Sequence, residues 1–320
     1  MPLVSLRGRA VQYDSAGSGL YINGSRVGGS SPTAFGFGNT YYVDSGVAGS
    51  DGTSPASAMA TLLAGNNKCT ANQGDTVVLL PGHAENVAAA TALTIAGVRY
   101  IGLGEGDDRP TITFDTANTA SYTSAVANLY FENIVFVANF LSIAAAFVLS
   151  TAKGVKFVNC EFRDTSGVLN FLQCVKSTGA ANTVDRLTMI GCRWNGLGTT
   201  SVRSLILTAN DIDGLTLLGN VVTLARTATD ASLVTVTAGV LTNVNVGENR
   251  TQTAQTATTG GGLINVGGTT SSGLVWRNYQ QTLGTATDIL FTTSVGLGAF
   301  ENRVSGAVGA TGFVIPAVDS

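Results

Sequence analysis

Leu129-Tyr130-Phe131-Glu132-Asn133, Val155-Lys156-Phe157-Val158-Asn159 and Leu187-Thr188-Met189-Ile190-Gly191 are one phrase written three times: aliphatic, any residue, large apolar, any residue, then Asn or Gly. The phrase also reads at Val98 to Gly102, Leu215 to Gly219 and Leu274 to Asn278, and more loosely at Val244 to Glu248 and Gly298 to Asn302. Its large apolar member falls at Tyr100, Phe131, Phe157, Met189, Leu217, Val246, Trp276 and Phe300, in steps of 31, 26, 32, 28, 29, 30 and 24 residues. A period of about 29 residues is the mark of a repeat architecture.

Alternating apolar residues put two side chains on one face of a strand, and Asn and Gly most readily take the positive φ of a sharp bend just after it. Further extended stretches come after each bend, such as Ile134 to Val137 and Cys160 to Phe162. A second set reads at Phe147 to Ser150, Leu169 to Val175, Ser204 to Leu207, Leu233 to Val236, Leu263 to Val266 and Ile289 to Thr292. Two or three short strands per period, with no room for a long helix, predict one coil of a parallel β-solenoid, about eight coils in all. Leu129, Val155, Leu187 and Leu215 then form one inner column and Phe131, Phe157, Met189 and Leu217 the next, each step rising about 4.8 Å. Towards the C-terminus the register is expected to loosen, because Asn249, Arg250 and Arg303 stand where earlier coils are apolar.

Composition limits the partners. Of 320 residues 40 are Gly and 12% are charged, against about 25% charged in an average globular domain. With a net charge of −3 and no Lys/Arg run, neither a nucleic-acid footprint nor a polybasic membrane patch is visible. The longest apolar run, Phe140 to Leu149, is broken by Ser142 and falls short of a membrane span. Met1 to Arg7 lacks the apolar core of a secretory signal, so Sec export is not expected. Cys69, Cys160, Cys174 and Cys192 are too few and scattered for a disulfide framework or a zinc site. Cys160 and Cys192 share a repeat position and are expected to stack as buried free thiols, with a disulfide as the alternative.

The N-terminal residues differ from the rest. Residues 1–40 hold eight Gly and six Ser without a sustained period, which predicts an extended arm suited to attachment. From Tyr41 to residue 97 the text reads as a capping strand, a helix and the first coil, and residues 98–320 as the β-helix. Ser54 and Pro55 start a helix expected to run through Ala58, Met59, Leu62 and Leu63, a lid over the open end of the first coil. The run Tyr41 to Leu63, with Asp44 and Gly49-Ser50-Asp51-Gly52-Thr53-Ser54-Pro55, followed by Gly74-Asp75-Thr76 to Pro81-Gly82, resembles the opening of right-handed parallel β-helix proteins of the pectate-lyase-like superfamily. It is most similar to the versions found in bacteriophage virion proteins. The resemblance implies a right-handed parallel β-helix, and by analogy a homotrimer. It leaves activity open, since the superfamily includes lyases, hydrolases, esterases, tailspikes and structural shells.

Candidate chemistry is sparse. Polysaccharide hydrolysis needs two carboxyl groups about 5 to 9.5 Å apart. Glu132 and Glu301 share an outward repeat position but lie six coils apart, about 29 Å at the strand spacing. Asp211 and Asp213 point to one side at about 7 Å, yet they precede Gly214, where Asp commonly supports a turn. His83, the single histidine, has Glu85 as its nearby acid and reads as a surface-turn residue. Glu105, Asp107 and Asp108 suggest calcium, but their spacing is irregular and Arg109 competes for the carboxylates. Trp194 and Trp276 read as core, and Glu161 with Arg193 as a ladder salt bridge of small value. No residue is therefore assigned a catalytic, cofactor-binding or metal-binding role, and no cofactor is expected.

Together these features read as a chain that is not an enzyme: a phage virion structural protein, a homotrimeric capsid decoration or cement protein docking on the major capsid protein, or another virion protein, through residues 1–40. The alternative is a tailspike or tail-fibre component that binds host surface polysaccharide, with or without cleaving it. That alternative predicts an exposed groove lined by carboxylates and aromatics.

Overall fold

In a computed structural model, which describes residues 3–6, 9–13, 20–22, 25–27, 38–47, 50–199, 203–225, 231–254, 263–266, 270–282, 296–305 and 312–314, the chain winds into a right-handed parallel β-helix. The strand before each bend enters a first sheet, ten strands from Thr40–Val43 to Leu297–Phe300. The strand after it enters a second sheet, from Ala84–Val87 to Asn302–Ser305, with Gly312–Val314 added antiparallel at its end. The third sheet has seven described strands, from Ala90–Leu93 to Ile264–Val266, so seven turns carry all three. The strand expected at Ile289 to Thr292 lies outside the described residues.

The repeated phrase stacks as its spacing predicts. Phe131 pairs with Tyr100 and Phe157, Phe157 with Met189, and Met189 with Leu217. All of these are buried, as are Leu129, Val155, Leu187 and Leu215. Tyr100 lies on Phe131 at 4.8 Å and Phe131 on Phe157 at 5.1 Å, with interplanar angles of 11° and 12°. The ring spacing repeats the strand spacing, so each coil repeats the hydrophobic contact of the one before it. Phe147 of the third sheet meets both rings edge-on, at 4.9 and 4.8 Å, and joins the column to the opposite wall.

The bends take positive φ at Asn133, Asn159, Gly191 and Gly219, as their residue types predict. In the later coils Glu248, Arg277 and Glu301 hold the same place at φ of 57°, 49° and 53°, although such side chains rarely adopt it. The neighbouring asparagines supply the reason. Asn220, Asn249, Asn278 and Asn302 are fully buried, and each amide nitrogen of the first three donates to the side-chain oxygen of the next, at 2.9 Å. Each oxygen also accepts a backbone N–H from the preceding coil, at 2.9 to 3.0 Å. This ladder continues the column of Cys160 and Cys192, both buried free thiols. The register does not loosen at Asn249: an apolar column becomes a hydrogen-bonded one, and Arg250 and Arg303 belong to the outward row beside it.

The phrase misplaces two residues. Val275 pairs with Val246 and Ala299 with Val275, so these fill the inner column where Trp276 and Phe300 were expected. A shift of one residue turns a side chain from one face of a strand to the other. Trp276 and Phe300 therefore point outward.

The lid is also built differently from the single helix expected. Pro55–Ser57 is a lone 3-10 turn and Leu62–Lys68 a separate α-helix capped by the Thr61 hydroxyl. Between them Met59 is extended and hydrogen-bonds Tyr42 of the strand Thr40–Val43 and Asp44 just after it. Gly65 lets the helix approach closely: a Cβ there would stand 2.7 Å from Val77 and 3.0 Å from Val43. The opening motif has local causes too. Asp51 accepts from the Thr53 N–H and the Thr53 and Ser57 hydroxyls, and those bonds hold its carboxyl below the usual range. Asp75, fully buried, accepts from the N–H groups of Asn39 and Thr70, 2.6 Å each. Ahead of the solenoid, within residues 1–40, Leu3–Leu6, Arg9–Tyr13, Leu20–Ile22 and Ser25–Val27 pair as an antiparallel meander.

Candidate functional site

The residues singled out for chemistry are distributed along the rod and mostly serve to join coils. Asp211 Oδ1 accepts the Val240 N–H, while Asp213 Oδ1 accepts the Thr242 hydroxyl and the Asn243 amide, at 2.8 and 2.6 Å. The latter two bonds hold the Asp213 carboxyl below the usual carboxylate range. Both carboxylates staple one coil to the next. Glu132 shares its row with Phe300, and Glu301 occupies the bend, so the two are not even in register.

His83 is buried, contrary to the surface position expected. Its Nδ1 accepts the Ser45 N–H at 2.9 Å, and its Nε2 lies 3.5 Å from Glu85 Oε2. Glu85 points inward and accepts from the Leu62 N–H at 2.7 Å and the Tyr122 hydroxyl at 2.6 Å. The group ties the lid helix to the first coils, and burial pushes the Tyr122 phenol far up. Burial likewise pushes the Cys69 thiol up to about 12.

Arg109 does not compete for Glu105, Asp107 and Asp108. It crosses to Glu161 Oε2 at 2.9 Å and the Asn159 carbonyl at 2.8 Å, and among the described residues no group of three or more His, Cys, Asp and Glu gathers to hold a metal. Glu161 and Arg193 are strand partners, but the ion pairs of Glu161 are with Arg109 and Arg163. Burial opposes its ionisation, and the hydrogen bonds and charges of Arg163 and Arg109 outweigh that, holding the Glu161 carboxyl below the usual range.

The surface that sequence reasoning missed lies at the bend of the last coils. Trp276, half-buried, stacks on Phe300 with ring centroids 6.2 Å apart and planes within 10°; Phe300 is 42% exposed. The indole N–H donates to Asn245 Oδ1 at 2.7 Å, and Gly247 leaves room beneath the ring, since a Cβ there would stand 2.3 Å from it. The Trp276 ring is thus held flat and oriented. Arg277, over the same ring at 6.0 Å, pairs with Glu301 at 2.6 Å.

Around the bend Arg250, Tyr279 and Arg303 stand in register on three successive strands, and with Glu248, Arg277 and Glu301 they line a cleft of about 710 Å³. A planar aromatic platform next to a polar, charged cleft suits a ligand with one apolar face and many hydroxyl or charged groups. The signal that locates it is Asn249, Asn278 and Asn302. Aligned on these asparagines, the phrase places Trp276 and Phe300 one residue later, on the outer face.

Trp194, by contrast, is buried as expected. The outer row of the third sheet through Thr123, Val148, Lys176 and Leu207 has one titratable side chain, Lys176.

No family model matches the chain, and no curated protein does. Among solved structures, the chain is similar in fold to one named rhamnogalacturonan lyase, with a TM-score of 0.55 and 12% sequence identity, over 77% of this chain and 70% of that one. The expectation that the chain is not an enzyme does not stand on the coil architecture, because a protein of the same architecture is named a lyase. Here the bend carries an aromatic and arginine surface that the sequence reading did not place.

Proposed function

We propose that this chain is a polysaccharide-binding β-helix of the phage tailspike kind, mounted in its virion through residues 1–40 and assembled as a homotrimer. The observation that carries the reading is the Trp276–Phe300 platform. Polysaccharide recognition by a smooth solenoid requires an exposed aromatic surface beside carboxylates, and Trp276, Phe300, Glu248 and Glu301 supply both. Sugar C–H groups lie against the negative face of an aromatic ring, and the hydroxyls turn towards polar side chains. The fold likeness to a polysaccharide lyase supports the same ligand class. A capsid decoration role uses the rod but leaves this surface without a use.

The test is a binding screen of the purified chain against host surface polysaccharides, with reducing-end and unsaturated-uronate detection run alongside. Binding by the native chain and a loss of about tenfold in Trp276→Ala are expected, the worth of one stacked ring. Equal binding by the two proteins would remove the platform from the function.

A further inference from the structure

The platform is flanked by a concentration of positive charge. The cleft around the bend gathers Arg250, Arg277 and Arg303 against Glu248 and Glu301, three positive groups to two negative, on a chain whose net charge is −3. Arg277 and Glu301 engage each other. Arg250 and Arg303 stand one strand to either side of Tyr279, so their Cα atoms are about 9.6 Å apart at the strand spacing. Two guanidinium groups on long side chains at that separation can converge on one anionic group above the Tyr279 ring, through forked N–H donors that match a carboxylate or a phosphate. Its volume of about 710 Å³ lies within the range of small-ligand sites.

We infer that this cleft is a subsite for the anionic group of an acidic glycan, with Arg250 and Arg303 reading the charge while a sugar ring of the same chain lies on Trp276 and Phe300. The inference rests on the polysaccharide reading above and narrows it to glycans that carry negative charge. Recognition is then a two-part match. The platform accepts any flat sugar face, and the arginines discriminate between charged and neutral polymers. Glu248 and Glu301 at the rim disfavour a second anionic group close to the first, which suits charges spaced along a polymer.

The experiment uses the full chain and three soluble polymers: a polyuronate, the same polymer after carboxyl reduction, and a phosphodiester-linked glycan. Titration calorimetry at low salt is expected to show the polyuronate, the phosphate polymer or both bound at least about tenfold more tightly than the reduced polymer. The two acidic polymers separate carboxylate from phosphate as the source of the charge. The preference is expected to shrink at high salt. Arg250→Gln, an exposed substitution outside the core, is expected to remove most of the preference while leaving the melting temperature unchanged. Equal affinity for all three polymers, or an unchanged preference in Arg250→Gln, would overturn the subsite and leave the platform reading intact. Failure to bind any of the three would sink both.

Discussion

Asn249 shows how much one buried side chain contributes to the rod. Its amide donates to the Leu217 carbonyl and to Asn278, and its oxygen accepts from the backbone and side chain of Asn220. Removing it strands donors and an acceptor where water does not reach, at about 1–3 kcal/mol for each group left unpaired. Asn249→Ala is therefore expected to lower stability by about 3 kcal/mol in equilibrium urea unfolding monitored by circular dichroism. An exposed change such as Leu274→Ala, on the outer face, should stay within about 0.5 kcal/mol. The ladder also accounts for the left-handed conformations of Glu248, Arg277 and Glu301. Each costs of order 1–3 kcal/mol, which the satisfied asparagine beside it offsets. A sequence reader sees polar residues after a bend and infers drift, because side-chain hydrogen bonding between coils leaves no trace in apolar periodicity.

At the scale of elements, the strands of the last coils stay in register with the earlier ones but carry their aromatic residue one position later. Gly273–Trp276 and Leu297–Phe300 keep the backbone ladder and turn that aromatic from the inner column to the outer row. Gly247 is the enabling residue on the neighbouring strand, because it alone lets the indole lie against the sheet. Gly247→Val is expected to tilt the Trp276 ring and weaken glycan binding by about tenfold, close to the full loss of the stacked ring. It should do so while the far-ultraviolet spectrum stays unchanged, since valine is favoured in strands. A normal affinity in that variant would show that the ring does not need its flat seat. The lid obeys the same logic of local fit. Ser54 and Pro55 signal a helix start correctly, but Met59 bonds to the first strand, so the helix must restart with a second cap at Thr61.

For the whole molecule, the trimer proposal uses the weakly charged outer row Thr123, Val148, Lys176 and Leu207 of the third sheet. The proposed trimer has a definite signature: light scattering on the eluting peak should give three times 32.6 kDa, about 98 kDa, and flat faces of this kind close most readily around a symmetry axis. A mass of 32.6 kDa at micromolar concentration would remove the trimer from the proposal.

The period of about 29 residues determined the solenoid on its own, because a coil must return to the same inner column and therefore writes the same apolar pair at every turn. Phe131, Phe157 and Met189 were legible for that reason, as was the αL bend at Asn133 and Asn159. What only the tertiary structure decided is which way Trp276 and Phe300 face, what His83 and Glu85 hold together, and which arginines converge on the cleft. Each depends on a one-residue register or on contacts between coils. Strand periodicity gives alternation without its absolute phase, and in the last coils that phase is set by a ladder of buried amides whose partners are some 24 to 29 residues apart in the chain.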